Sequence, residues 1–116
     1  MERMRPGTLA ALTAALLVGA ACSGCDSGGP KTPYERGKVV YKSVCVACHD
    51  HDPSKPGTLA PPLAGSSAEL IRHRVLHGTY PPGYVPKRGD SKLMPQFPHL
   101  AGSIDDLAAF LAGAGS

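Results

Sequence analysis

The chain carries Cys45-Val46-Ala47-Cys48-His49, and the reading of these five residues decides what the rest of the sequence must build. Two thiols two residues apart, followed at once by an imidazole, form the pattern of covalent haem attachment. Both sulfurs can add to the vinyl groups of one porphyrin while the neighbouring histidine reaches under the ring to its iron. The same thiols would also suit a redox dithiol or half of a zinc site, so the flanking sequence has to decide.

At 116 residues the chain allows one domain at most. It has no Trp, four Tyr and two Phe, against 14 Gly and 12 Pro. So short a chain buries a modest core and commonly adds a disulfide, a metal or a cofactor to it. A haem would supply the missing apolar bulk. Without Glu2, Arg3 and Arg5, ten Lys/Arg face eight Asp/Glu, a net +2 that two haem propionates would bring near neutral. That balance, with no basic stripe interleaved with aromatics, speaks against nucleic acid as a partner. There is no Gly-rich phosphate loop and no internal repeat.

Residues 1–21 read as an export signal: Arg3 and Arg5, an apolar run from Leu9 to Val18, then Gly19, Ala20 and Ala21. The run is short of the about 20 apolar residues of a membrane span. Leu16-Leu17-Val18-Gly19-Ala20-Ala21-Cys22 also resembles a bacterial lipoprotein signal, with Cys22 as the acylated residue, although Gly19 stands where Leu or Val is usual. Cys25 is the alternative acceptor. Residues 22–32 have linker composition, and ten flexible residues span about 15 to 20 Å. An acylated Cys22 would hold the following domain, residues 33–112, close to a membrane surface, with 113–116 as a tail.

Thr32-Pro33-Tyr34-Glu35 is a helix start with a capping box. Gly37, Val40, Tyr41, Val44 and Cys48 follow at helical spacing, so one helix is expected to deliver Cys45 and Cys48 to one face. Gly37 suits a close approach by another helix. Asp50 to Gly57 is a polar loop, in which His51 reads as solvated. Ala60-Pro61-Pro62-Leu63-Ala64-Gly65 forms a rigid turn whose carbonyls can meet the free ring nitrogen of His49. Ser66-Ser67-Ala68-Glu69 is a second capping box, opening a helix that runs to His77 and stops at Gly78. Arg72, Arg74 and His77 complement its dipole, and His73 and His77 read as surface or capping residues.

Thr79 to Leu93 is a long Pro- and Gly-rich loop, and fifteen residues without structure of their own suggest a task such as wrapping a cofactor. Its Lys87 and Arg88, with Lys92, are candidates to steer an acidic redox partner. The loop ends at Met94-Pro95. Met94 is the only methionine outside the first four residues and lies 45 residues after His49. A thioether opposite a histidine is one way to hold haem iron and raise its potential, which makes Met94 the candidate sixth ligand. Ser103-Ile104-Asp105-Asp106 caps the last helix, where Ile104, Leu107, Ala108 and Leu111 form one buried face widened by Phe110. Phe110 or Leu107 is expected to lie over Gly37, and the end from Ala112 is expected to fray.

Assembled, residues 33 to 111 resemble a class I cytochrome c. Gly37 and Tyr41 ahead of Cys45-x-x-Cys48-His49 resemble the family's first helix, Pro61-Pro62-Leu63-Ala64-Gly65 its Pro-x-Leu-x-Gly segment, Met94-Pro95 and Phe97 its methionine loop, and Phe110 the aromatic of its last helix. The resemblance implies an all-α globule around one covalent haem c. It also implies Pro61 as carbonyl donor to His49, and iron held by His49 and Met94. Single-electron transfer between protein redox partners in a bacterial periplasm follows as the expected function. The Pro-rich loop before Met94 departs from the pattern, so the propionate contacts stay open among Tyr80, Tyr84 and Arg88. The chain would serve as a free carrier or as an electron-transfer subunit of a larger oxidoreductase. The rivals are a haem enzyme or sensor with an open iron position, against which Met94 speaks, and a zinc site made by Cys22, Cys25, Cys45 and Cys48.

Overall fold

The first helix, α1 (Pro33–Val44), starts on the capping box that the sequence announces. Thr32 Oγ1 accepts from the Glu35 amide at 3.1 Å, and Glu35 reaches back to the amides of Thr32 at 3.0 Å and Lys31 at 2.8 Å. These backbone donors hold the Glu35 carboxyl below its ordinary range. The structure, a computed structural model, describes residues 28–114. The export segment 1–21, the acyl acceptors Cys22 and Cys25, and with them the four-cysteine zinc site, lie outside the described residues.

Among the described residues the fold is helical with no strand. The second helix, α2, begins at Ala68–Arg72 and continues through His73–His77 as a wider π turn, ending on Gly78 in the left-handed conformation (φ 67°). It runs to the expected residue, but its start moves by one position. Ser67, not Ser66, is the cap, accepting from the Leu70 amide at 3.1 Å, so Glu69 sits one place too early to complete a capping box. Ser66 is occupied elsewhere, its hydroxyl donating to the Leu63 carbonyl at 2.7 Å.

The third helix, α3 (Ile104–Gly113), is entered from a 3-10 stretch at Pro98–Ser103. Ser103 makes no side-chain cap, against expectation: with the preceding residues already turning, its backbone is not in the extended form that aims a capping hydroxyl. The helix keeps its form through Gly113, beyond the fraying expected from Ala112, and a Cβ on Gly113 would stand 2.7 Å from the Tyr34 ring.

Helices α1 and α3 form the principal packing of the fold. At their crossing a Cβ on Gly37 would collide with the Asp106 carbonyl oxygen and come within 2.9 Å of Phe110 Cβ. Phe110 does lie over Gly37, as expected, and its ring packs against Tyr34 at 5.3 Å and Tyr41 at 5.2 Å. The Arg36 guanidinium clamps the same crossing through two 2.9 Å bonds to the Asp106 carboxylate. The core joins Tyr41, Ile71, Val75, Leu100, Ile104, Leu107, Phe110 and Leu111. Backbone bonds then tie the connections to it: Gly65 donates to Leu111 at 2.8 Å, and Phe97 to Val75 at 2.7 Å.

Candidate functional site

The two cysteines are not on α1. The helix ends at Val44, and Cys45–Ala47 form a tighter 3-10 turn, with the Cys45 carbonyl accepting from the amides of Cys48 at 3.2 Å and His49 at 2.9 Å. The Cys48 bond closes a single 3-10 turn between the two thiol-bearing residues, with Cys48 itself already outside the helical backbone. Burial pushes the Cys45 thiol up to about 11. A redox dithiol depends on the opposite shift, toward the thiolate.

His49 is buried, and its Nδ1 lies 3.1 Å from the Pro61 carbonyl oxygen. A carbonyl can only accept, so Nδ1 carries the proton and Nε2 keeps its lone pair. Burial lowers the imidazole pKa, with the Pro61 bond opposing and the Arg88 charge adding to the effect. The result is a neutral, oriented ring with one free lone pair on Nε2, the form in which histidine binds a metal. Pro61 thus stands where the Pro-Pro segment was expected to bring it.

Two residues hold this corner through contacts that the sequence does not announce, Tyr41 on the first helix and Gly57 in the polar loop. The buried Tyr41 donates from its hydroxyl to the Asp50 carbonyl at 2.6 Å, joining α1 to the segment just after His49. Burial pushes its phenol up to about 12, so it stays a donor at physiological pH. Gly57 packs on the same segment: a Cβ there would strike the Cys48 carbonyl oxygen and lie 2.7 Å from His49 Cα. The signal was the Pro56-Gly57 pair, which reads equally well as an ordinary turn. Tyr41→Phe should cost the holoprotein about 1 to 2 kcal/mol by leaving that carbonyl unpaired, measured as a lower midpoint in denaturant.

Cys45, Cys48, His49, Pro61 and Met94 line one cavity of about 690 Å³, within the range of cofactor sites. Tyr80, Tyr84 and Arg88 line it too, as do Arg74 and Lys87. Arg74 was legible only as a charge at a helix end; in the fold it turns inward. The lining contains three cations and no carboxylate, and Arg74 forms no ion pair among the described residues. An apolar wall with uncompensated positive charge fits a flat apolar macrocycle bearing two carboxylates, which is the chemistry of haem. Lys92 is set apart, pairing with Asp90 at 3.7 Å. His51, His73 and His77 do not line the cavity, and His73 Nδ1 meets Thr79 Oγ1 at 3.0 Å.

A family model described as cytochrome c oxidase, cbb3-type, subunit III matches residues 32–111. No curated protein and no solved structure is significantly similar to the chain.

Proposed function

Since the chain belongs to the cytochrome c family represented by subunit III of cbb3-type oxidases, and so binds haem c covalently, we propose that it is a mono-haem electron carrier at the periplasmic face of a bacterial membrane, its iron held by His49 and Met94. The observation that carries this reading is the convergence of Cys45, Cys48, Met94 and a tautomer-fixed His49 on one cavity. When bound, haem c supplies a one-electron Fe(III)/Fe(II) couple. The chain's residues hold rather than react. Cys45 and Cys48 tether, Pro61 keeps His49 oriented and neutral, and Val44, Leu63, Ile71, Val75 and Leu107 wall the cavity against water. Met94 would provide the soft second ligand.

The location rests on the sequence alone: export through residues 1–21 and acylation at Cys22, or at Cys25, with residues 23–32 as tether to the membrane surface. No helix among the described residues is long and apolar enough to cross a membrane. The family's description as an oxidase subunit favours a second reading, in which the domain passes electrons within a larger oxidoreductase rather than as a free carrier.

The test is the optical spectrum of the chain matured with a haem-attachment system. A low-spin haem c spectrum with the weak far-red methionine-to-iron band is expected; a high-spin, ligand-binding spectrum would overturn the carrier reading in favour of a haem enzyme or sensor. Cys45→Ala combined with Cys48→Ala should release essentially all haem into acidified organic solvent. Covalent haem surviving that treatment would sink the attachment assignment.

A further inference from the structure

We propose that Arg74 is the positioning residue that fixes the loop carrying Met94, an inference that rests on the reading of Met94 as an axial ligand. Thr79 to Leu93 contains no helix, and its internal backbone bonds are short-range, Tyr84 to Pro81 at 3.1 Å and Ser91 to Gly89 at 2.9 Å. At the start of the loop the Thr79 amide donates to the His73 carbonyl at 3.1 Å and Thr79 Oγ1 meets His73 Nδ1 at 3.0 Å, but no backbone bond ties residues 80–93 to α2. The polar side-chain links from α2 to residues 80–93 come from Arg74. Its Nη1 donates to the Gly78 carbonyl at 3.0 Å, where α2 ends, and its Nη2 donates to the Ser91 carbonyl at the longer distance of 3.3 Å, three residues before Met94. Its Cζ lies 4.2 Å from the centroid of the Tyr80 ring, which stacks on Tyr84 at 5.4 Å and 9°. One guanidinium therefore joins the end of α2 to the beginning and the end of the loop. A further tether, from Lys87 Nζ to the Pro62 carbonyl at 2.8 Å, attaches the loop to a different segment.

The task needs arginine. Two carbonyls 13 residues apart in sequence are bridged by the fork while its flat face rests on an aromatic ring, and the point-like ammonium of lysine cannot do both. Lysine keeps the charge, so it separates a requirement for the fork from a requirement for positive charge beside an anionic group.

The experiment compares the wild-type holoprotein with Arg74→Lys and Arg74→Gln by two readouts: the far-red methionine-to-iron band and the affinity of the oxidised protein for imidazole. Both variants are expected to keep covalent haem, lose most of the band and bind imidazole at least tenfold more tightly than wild type. An Arg74→Lys protein matching wild type in both readouts would overturn the proposal, because charge alone would then suffice. A wild-type protein without the band would instead overturn the Met94 ligation on which the proposal stands. Should the Arg74 variants fail to fold, Tyr80→Leu and Tyr80→Phe test the same link from the loop side. Loss of the ring should raise imidazole affinity and loss of the hydroxyl should not; equal affinities would overturn the proposal.

Discussion

A Gly37→Ala variant should lose about 2 kcal/mol of stability, despite placing the best helix former in the middle of a helix. The substitution alone favours α1 by about 1 kcal/mol. Against that stands the crossing with α3, where the added methyl would meet the Asp106 carbonyl oxygen and stand within 2.9 Å of Phe110 Cβ. The first obstacle is backbone, which no rotamer change can move aside, so the helices must separate. Overpacking of this kind costs about 1 to 3 kcal/mol and occasionally more. Separation would also stretch the two 2.9 Å bonds from Arg36 to Asp106 and loosen Phe110 from Tyr41. For a domain of this size each kcal/mol lowers the melting temperature by about 4 to 8 °C. Calorimetry of the holoprotein should therefore show a fall of roughly 8 to 16 °C, and Gly37→Val a larger one. A Gly37→Ala protein as stable as wild type would show that the approach at the crossing is not tight.

What the sequence could reveal divides along the distance over which each residue acts. The Thr32 capping box is local, its partners three residues apart, and it forms as expected. Gly37, Phe110 and Pro61 act at long range, but each had few alternatives: a mid-helix glycine with no local use, an aromatic on the last helix, and a rigid carbonyl near a histidine that needs one. Adjacent serines defeat such reasoning. Ser66 and Ser67 are equally good caps in isolation, and the choice falls to the Leu63 carbonyl, which takes the Ser66 hydroxyl. Placing both thiols on α1 failed for a related reason, since α and 3-10 turns give similar spacing over four residues and only the backbone decides between them. Arg74 was hidden by a sufficient local explanation: a cation near a helix end needs no further purpose. Its partners Gly78, Tyr80 and Ser91 lie along an irregular loop with no periodicity to register them. The cavity was legible through its tethering and ligand candidates and through the loop expected to wrap a cofactor, while the side-chain contacts that hold that loop were not.

Met94→Ala should lower the reduction potential by on the order of 100 mV, within the about 0.8 V over which axial ligands set haem potentials. The thioether is the soft ligand that favours the reduced iron, so the sign follows from its removal. Met94 lines the cavity and packs against the core from a partly exposed position. Its truncation should therefore cost less than the about 2 to 5 kcal/mol of a fully buried methionine, leaving the domain folded for measurement. Assignment of the far-red band is direct, because Met1 and Met4 are the other methionines of the chain and neither lies between Cys45 and the last helix. Nor does another imidazole stand ready as a substitute: His51, His77 and His99 are exposed, and His73 is engaged with Thr79. The oxidised Met94→Ala protein should therefore lose the band and take up imidazole or azide more tightly than the wild type. Potentiometry with and without added imidazole checks both effects. An unchanged potential together with an unchanged ligand field would remove Met94 from the iron and with it the reason for the ordered loop that precedes it.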